Sequence, residues 1–426
     1  MQCFEDFEQR GLVSDVTDVE AVRTLLNGPT TSVYCGFDPT ADSLHVGNMV
    51  PLLQLARLQR YGHRPIALAG GATGRIGDPS GKSEERNLLT TEALQHNAAC
   101  VKKQLGAFLE FNDGPTGALL VDNADWLAGM SFLEFLRDVG KHFSVNAMIA
   151  KDSVKSRIET REAGISYTEF SYMLLQAADF LHLHRAHDCT LQVGGSDQWG
   201  NITAGMELVR KTERKSVYGL TFPLITTASG GKLGKTEKGA IWLDPDRTSP
   251  YQMYQYFMRT DDRDVVSYLK YFTFLGLDEI AHLAHLVETE PHRREAQKTL
   301  AQSFTALIHG EDAVQSAQAA TALLFGGSTD DITESDLLAA SEDMPRTDIS
   351  ESFGAEGRDI IDLVAQSNLA DSRGQAKRAL AQGGVYVNNK RWAADQGRVG
   401  TSDLLFGRYL LLRLGKRNYD LVVFGG

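Results

Sequence analysis

Ser32-Val33-Tyr34-Cys35-Gly36-Phe37-Asp38-Pro39-Thr40-Ala41-Asp42-Ser43-Leu44-His45-Val46-Gly47-Asn48 decides the fold. The stretch opens apolar and β-prone, breaks at Asp38-Pro39-Thr40, and passes into a helical pattern from Met49 to about Tyr61. It predicts a strand, a tight turn and a helix start. Unpaired N–H groups and the positive dipole end of a helix suit a phosphate there. Gly47 lets another group come close to the backbone, and His45 adds a donor on the same edge. A second apolar run, Pro65 to Ala69, follows the helix, so a right-handed βαβ unit is expected. The turn is neither G-x-G-x-x-G nor a Walker loop. Alone it also fits an ordinary Pro-containing loop with a surface histidine. A second element far downstream, Lys232-Leu233-Gly234-Lys235-Thr236, shifts the balance.

The 426 residues suffice for two to four domains. Hydrophobic content of 42% and charged content of 23% are ordinary for a soluble globular protein. No apolar run reaches the roughly 18 residues of a membrane span. The acidic start, Met1 to Arg10, lacks the apolar core of an export signal. Cys3, Cys35, Cys100 and Cys189 are scattered without a C-x-x-C pair, which indicates neither a zinc ribbon nor a disulfide framework and fits reduced thiols in the cytoplasm. A net charge of −12 argues against a protein coated with nucleic acid. Yet residues 351–426 carry 11 Lys+Arg against 8 Asp+Glu, a net of +3, while the rest carries −15. An acidic body with a basic end points to local polyanion contact at that end, although so small an excess also arises by fluctuation.

Residues 1 to about 31 read as a short helical layer. The second strand runs into Gly70-Gly71-Ala72-Thr73-Gly74-Arg75-Ile76-Gly77-Asp78, at the strand end where open α/β sheets bind ligands. Asp78 can offer a carboxylate to an ammonium group, and Lys82 and Arg86 can reach phosphates; a solvated polar loop is the alternative. Thr91 to Phe111 reads as an amphipathic helix, Ala118 to Asp122 as a short strand, and Val145 to Ala163 as a helix with a charged face. Ser166 to Leu183 reads as a mostly buried helix. Tyr172, Gln176 and Asp179 nevertheless fall on one face of it, at i, i+4 and i+7. Buried polar groups need partners, supplied either internally or by a polar ligand lying along the stripe. His182, His184 and His187 lack the cysteines of a zinc site. Leu191 to Gly195 is a strand that runs into Gly-Gly and a helix, with Asp197 placed to accept from ribose hydroxyls.

Lys232 and Lys235 sit among Ser229-Gly230-Gly231 and Gly234, a flexible setting that suits a charge appearing only transiently. Residues 249 to about 325 are helical in pattern. Residues 326–350 are acidic, with weak periodicity, and predict a linker. In the last module Ser372 caps a helix that ends at Gly383-Gly384 and carries Arg373 and Lys377 on one face; Val385 to Val387 is a strand, Asn388-Asn389 a turn, and Lys390-Arg391 follow. A basic helix face beside a β-turn suits RNA. The expected fold is α/β: a Rossmann-like parallel-sheet catalytic domain over 1–220, a loop and connector over 221–248, an all-helical domain over 249–325, a linker over 326–350, and a small α+β RNA-binding domain over 351–426.

His45-Val46-Gly47-Asn48 resembles the HIGH motif of class I aminoacyl-tRNA synthetases, with Asn48 where the motif ends in histidine. Lys232 to Thr236 resembles their KMSKS loop, with both lysines kept and the central serine replaced. Tyr34, Asp78, Tyr172, Gln176 and Asp179 resemble the amino-acid pocket of the bacterial tyrosyl enzymes. The final module is similar to a small RNA-binding domain of a ribosomal small-subunit protein. The likeness runs from Tyr34 to about Arg391. It implies activation of L-tyrosine by ATP to tyrosyl-adenylate, then transfer to the 3′ end of tRNA(Tyr), by a cytoplasmic homodimer. Mg2+ would accompany ATP, with no protein-bound zinc and no membrane partner. By the same resemblance, Asp78, Tyr172 and Gln176 would bind the tyrosine ammonium and Tyr34 and Asp179 the phenol, with Gln192 and Gln198 also lining the tyrosine site. Cys35, Asp38, Gly47, Asn48, Gly195, Asp197 and Lys235 would bind ATP. Thr40 and His45 would hold its leaving phosphates, and Lys82, Arg86, Lys232, Lys235 and Thr236 would close on pyrophosphate. Arg373, Lys377, Lys390 and Arg391 would contact RNA.

An ionised carboxylate needs no general base to attack a phosphate, which agrees with the lack of any catalytic triad or acid–base dyad in the sequence. Three rivals remain: a small-molecule nucleotidyltransferase, which has no need of the basic end; a tryptophanyl enzyme, which has no use for a Tyr34–Asp179 clamp; and a non-catalytic RNA-binding protein, which would tolerate loss of His45 and Lys235.

Overall fold

The computed structural model describes residues 2–80, 89–151, 154–155, 158, 164–231, 233–236, 239–324, 326–329, 332–342, 344–354, 356–416 and 418–425. They form two compact units. One comprises Met1–Arg247 with Thr260–Leu300, the other Thr248–Arg259 with Ala301–Gly426. The helices expected over 249–325 are present, but they divide between these two units.

In the first unit β1 (Ser32–Phe37), β2 (Arg64–Ala69), β3 (Leu119–Asp122), β4 (Cys189–Gly195) and β5 (Tyr218–Phe222) form one parallel sheet in the order β3-β2-β1-β4-β5. The chain winds outward from β1 to β3, then returns to the other side of β1 as β4. The crevice beyond the carboxyl ends of β1 and β4 is thus a topological switch point, the usual ligand site of such sheets. Tyr34 pairs with Ile66 on one side and with Gln192 on the other. Burial on both faces explains why β1 and β2 read as near-continuous apolar runs. The core includes Tyr34, Ile66, Leu68, Met173, Phe180 and Leu208.

Helix starts follow their caps. Asp18 accepts from the Ala21 N–H, Thr90 from Ala93 and Ser166 from Glu169, each worth about 1 kcal/mol to its helix. The edge strand β5 does not face solvent bare. The Ser14 N–H donates to the Thr221 carbonyl at 2.9 Å and the Thr221 N–H to the Asp15 carbonyl at 2.8 Å, covering the edge with the N-terminal segment. Residues 260–300 join this unit through buried arginines. Arg10, paired with Asp6 at 2.9 Å, also donates to the Leu275 carbonyl at 2.9 Å, and Arg57 donates to the Thr273 carbonyl at 2.7 Å. Burial, with Arg10 beside it, pushes the Arg57 guanidinium down to about 10. Past the sheet, β6 (Lys235–Thr236) and β7 (Gly239–Ala240) form a small hairpin.

In the second unit β8 (Arg346–Ile349), β10 (Val385–Val387), β11 (Lys390–Arg391), β13 (Tyr409–Leu414) and β14 (Asn418–Phe424) make a mixed sheet in the order β11-β10-β13-β14-β8; β9 (Arg358–Asp359) pairs with β12 (Arg398–Val399). Residues 326–350 are not the expected connector. They contain the helix Glu334–Ser341, opened by a capping box between Thr333 and Asp336, and the strand β8, parallel to β14. Asp420, fully buried on β14, accepts from the Thr347 hydroxyl at 2.7 Å and the Asn368 amide at 2.9 Å, so its oxygens tie β8 in place. Ser372 caps Arg373–Ala381 as expected, and Asn388 and Asn389 take the left-handed turn conformation that asparagine tolerates.

Candidate active site

The helix Tyr167–His187 crosses the switch point and sends its polar stripe to the ends of β1, β2 and β3. Tyr172 donates its hydroxyl to Asp38 at 2.8 Å, and the other Asp38 oxygen accepts from the Thr73 hydroxyl at 2.7 Å. Thr73 in turn accepts from the Asn123 amide at 2.9 Å. The same amide nitrogen donates to Asp179 at 2.9 Å, and the Trp126 indole N–H donates to the other Asp179 oxygen at 2.9 Å. Asp38, Thr73, Asn123 and Asp179 come from four segments far apart in the chain, yet they form one hydrogen-bonded line. Gly70 is required beside it: a Cβ there would lie 2.0 Å from an Asp38 oxygen and 2.5 Å from the Thr73 hydroxyl.

Two atoms next to this line are buried without a partner among the described residues, the Tyr34 hydroxyl and the Gln192 amide oxygen. They belong to cross-strand neighbours on β1 and β4. An unmet polar atom in a dry pocket costs about 1–3 kcal/mol, and a polar ligand would offset that cost. Tyr34 packs its ring edge-on against Phe180, with centroids 5.3 Å apart. Burial, with the Asp179 charge behind it, holds the Tyr34 phenol far above its usual range. Burial also pushes the Asp179 carboxyl up to about 8, against the pull of Asn123 and Trp126 and with help from Asp38 and Asp122. Tyr172 is raised by burial and by Asp38 and Asp78, so it remains a neutral donor.

Asp78 lies near enough to Tyr172 for its charge to act on that phenol. It accepts from the Gln198 amide at 2.6 Å, from the Ser80 N–H at 2.9 Å and from the Asn201 amide at 3.4 Å. A buried carboxylate surrounded by neutral donors has no cation of its own among these contacts and suits an incoming ammonium. Gln176 is half-buried on the same helix as Tyr172.

At the β1 turn, His45 accepts the Gly47 N–H on Nδ1 at 3.0 Å, which fixes the neutral tautomer and leaves Nε2–H as donor. Asn48 returns its side-chain oxygen to the His45 N–H at 3.0 Å, a reciprocal cap that histidine at that position could not copy with an amide. The group that comes close to Gly47 is the chain's own His45: a Cβ would lie 2.8 Å from the ring. Thr40 is exposed at the same turn. Cys35, buried on β1, is pushed up to about 12 by burial and the Asp197 charge, so it is a thiol.

Lys82, Arg86 and Lys232 lie outside the described residues. Lys235 and Thr236 are described as backbone, forming β6. Asp38, expected at ATP, bonds Tyr172 and Thr73. In the second unit Lys377 and Lys390 are exposed; Arg373 pairs with Asp362, and Arg391 donates to the Gly383 carbonyl at 2.9 Å. His182 stacks on Trp126 at 4.1 Å and His184 bonds the Cys189 carbonyl. Among the described residues no group of three or more His, Cys, Asp or Glu is arranged to hold a metal ion. Sequence reasoning missed Thr73, Asn123, Trp126 and Asn201. The available signal was position: Thr73 and Asn123 follow the carboxyl ends of β2 and β3, as Asp38 follows β1.

Residues 27–326 match the family model described as tRNA synthetases class I (W and Y), and residues 336–422 match one described as Tyrosine--tRNA ligase SYY-like C-terminal domain. The chain is 52% identical to a Tyrosine--tRNA ligase of Opitutus terrae over 99% of both chains. It is 48% identical to a Tyrosine--tRNA ligase 1 of Bacillus cereus over 99% of this chain and 100% of that one. Among solved structures, a C-terminally truncated mitochondrial tyrosyl-tRNA synthetase of Aspergillus nidulans superposes with a TM-score of 0.69 at 34% identity, covering 76% of this chain and 94% of that one.

Proposed function

This chain belongs to the class I tRNA synthetases of the tyrosine and tryptophan group, and from that premise we propose that it is a tyrosine–tRNA ligase. It activates L-tyrosine with ATP to tyrosyl-adenylate and pyrophosphate, then transfers the tyrosyl group to the 3′ end of tRNA(Tyr). The observation that carries tyrosine over tryptophan is the buried Tyr34 hydroxyl, unpartnered among the described residues, beside the Asp179 carboxyl. That pair fits a phenol O–H, which both donates and accepts. An indole N–H only donates, so it could not accept from the Tyr34 O–H.

Asp78 takes the tyrosine ammonium, with Tyr172 and Gln176 beside it. The tyrosine carboxylate, ionised near pH 7, attacks the α-phosphate in line, and pyrophosphate leaves as the P–O bond breaks. The protein's task is orientation and charge stabilisation. His45 Nε2–H and Thr40 meet the leaving phosphates, while Asp197, Gly195 and Cys35 hold the ribose. Lys82, Arg86, Lys232, Lys235 and Thr236 supply the positive charge and hydroxyl that pyrophosphate needs. Mg2+ carried by ATP, rather than held by a cage of protein ligands, would screen the phosphate charge. Asp38 acts by orienting Tyr172. Exposed Lys377, Arg378 and Lys390 support tRNA contact by the second unit.

The exposed apolar face of Phe132, Leu133 and Val145, 62%, 76% and 58% exposed, supports a homodimer formed through residues 130–149. The bacterial origin of the similar tyrosine–tRNA ligases supports a cytoplasmic enzyme. ATP–pyrophosphate exchange with each amino acid supplied singly tests the reading. Tyrosine alone should support exchange; exchange driven by tryptophan, or by none, would overturn it.

A further inference from the structure

We propose that Trp242 is a positioning residue for His45: clamped by the Arg247–Asp42 ion pair, it fixes the imidazole and sets the lysine loop against the histidine turn. The proposal rests on the reading of the chain as a tyrosine-activating ligase. Residues 43–46 and 241–244 are laced together. The Val46 N–H donates to the Ile241 carbonyl at 3.0 Å, the Leu243 N–H to Leu44 at 2.9 Å, and the Asp244 N–H to the Ser43 hydroxyl at 3.2 Å. In this ladder His45 and Trp242 stand opposite each other. Their rings meet edge to face, with centroids 5.9 Å apart.

The indole is half-buried, with a charged group over its face. The Arg247 guanidinium lies 3.5 Å from its ring centroid and also pairs with Asp42. Asp42 and His45 lie at the two ends of one turn, so Arg247 and Trp242, stacked on each other, hold it at both ends. A cation over an indole face adds attraction that a leucine could not supply.

The same segment meets the lysine loop. The Ile241 N–H, one residue before Trp242, donates to the Gly234 carbonyl at 2.8 Å. Gly234, between Lys232 and Lys235, has φ +76°, and a Cβ on it would lie 3.3 Å from Val46 Cβ and 3.5 Å from the Gly47 nitrogen. The loop backbone therefore rests on the histidine turn, and Trp242 is the side chain at that junction. An imidazole misplaced by about 1 Å costs on the order of a hundredfold in rate.

The test is a double-mutant cycle in single-turnover adenylate formation on the full chain. Trp242→Leu should slow formation on the order of ten- to a hundredfold, with the dissociation constant for tyrosine unchanged. Trp242→Phe should recover most of the rate, because an aromatic face returns. In a His45→Ala background Trp242→Leu should add little, because the group it orients is gone. An unchanged rate in Trp242→Leu, or a slowing that multiplies in full on top of His45→Ala, overturns the proposal. If Trp242→Leu loses tyrosine binding, Arg247→Gln in the same cycle decides by the same criterion. Failure of the underlying reading looks different: the parent enzyme itself would make no tyrosyl-adenylate.

Discussion

The amino-acid side of the candidate site and its nucleotide side are built by different means. On the first, Asp38, Thr73, Asn123, Tyr172 and Asp179 are joined by side-chain bonds from 2.7 to 2.9 Å, with Asn123 and Asp179 fully buried. On the second, Thr40 and Gly47 are exposed, His45 and Asp197 are half-buried, and much of the proposed chemistry falls to Lys82, Arg86, Lys232 and Lys235. The contrast suits the ligands proposed for the two sides. A neutral phenol is selected only by groups that are dry and already oriented, so the cost of burying them is met in the folded protein. Charge on phosphate oxygens builds up only as the reaction proceeds, and long cationic side chains can meet it then. Recognition and rate should therefore be separable by mutation.

The largest effect should come from the nucleotide side. Lys235→Ala should slow adenylate formation on the order of 10²–10³-fold, the loss expected of one transition-state donor, while tyrosine affinity stays put. Rapid-quench kinetics at saturating tyrosine will show whether it does.

Next comes a pH effect on the amino-acid side. The Asp179 carboxyl is pushed up to about 8 by burial, whereas in the unfolded chain it titrates near 4. Between those values the folded protein holds a proton that the unfolded chain has released. Stability contributed at this site is therefore greatest at the acid end, falls as pH rises from about 4 to about 8, and is flat beyond. Asp179→Asn removes the titration. Its melting temperature relative to the parent should climb across that window and level off above it; a constant difference would show that burial does not shift Asp179.

Tyr34→Phe should be milder. Losing one neutral hydrogen bond costs about 0.5–1.5 kcal/mol, so discrimination between tyrosine and phenylalanine should narrow by roughly tenfold or less. Competitive exchange assays measure that ratio directly, and an unchanged ratio would take Tyr34 out of the pocket. The smallest effect belongs to the basic face of the second unit. Lys377→Ala with Arg378→Ala should leave exchange intact and flatten the salt dependence of tRNA binding by roughly one unit of slope per lost phosphate contact.

The same contrast explains what could be read from sequence. The β1 turn was legible because strand, Pro-containing break and helix start are local signals within residues 32–60, and the polar stripe on Tyr167–His187 was legible because helical spacing is local too. The partners of that stripe were not. Asn123 and Thr73 meet Asp179 and Asp38 only because β1, β2 and β3 lie side by side, a relation between segments 35 to 56 residues apart. The 326–350 stretch failed for a similar reason: β8 is a strand only by pairing with β14, some 70 residues on, and its acidic composition hid the capping box at Thr333. The helices over 249–325 were visible as a pattern, but periodicity cannot say which core each one joins.

The account stands most directly on one experiment: single-turnover adenylate formation across a range of tyrosine concentrations, which returns the dissociation constant for tyrosine and the chemical rate together, for the parent, Tyr34→Phe and Lys235→Ala. The account predicts a crossed pattern. Tyr34→Phe should weaken tyrosine binding and leave the rate at saturation near the parent's, while Lys235→Ala should cut the rate and leave binding alone. Binding and rate falling together in either variant would contradict the division between a preformed recognition pocket and a phosphate side that acts in the transition state.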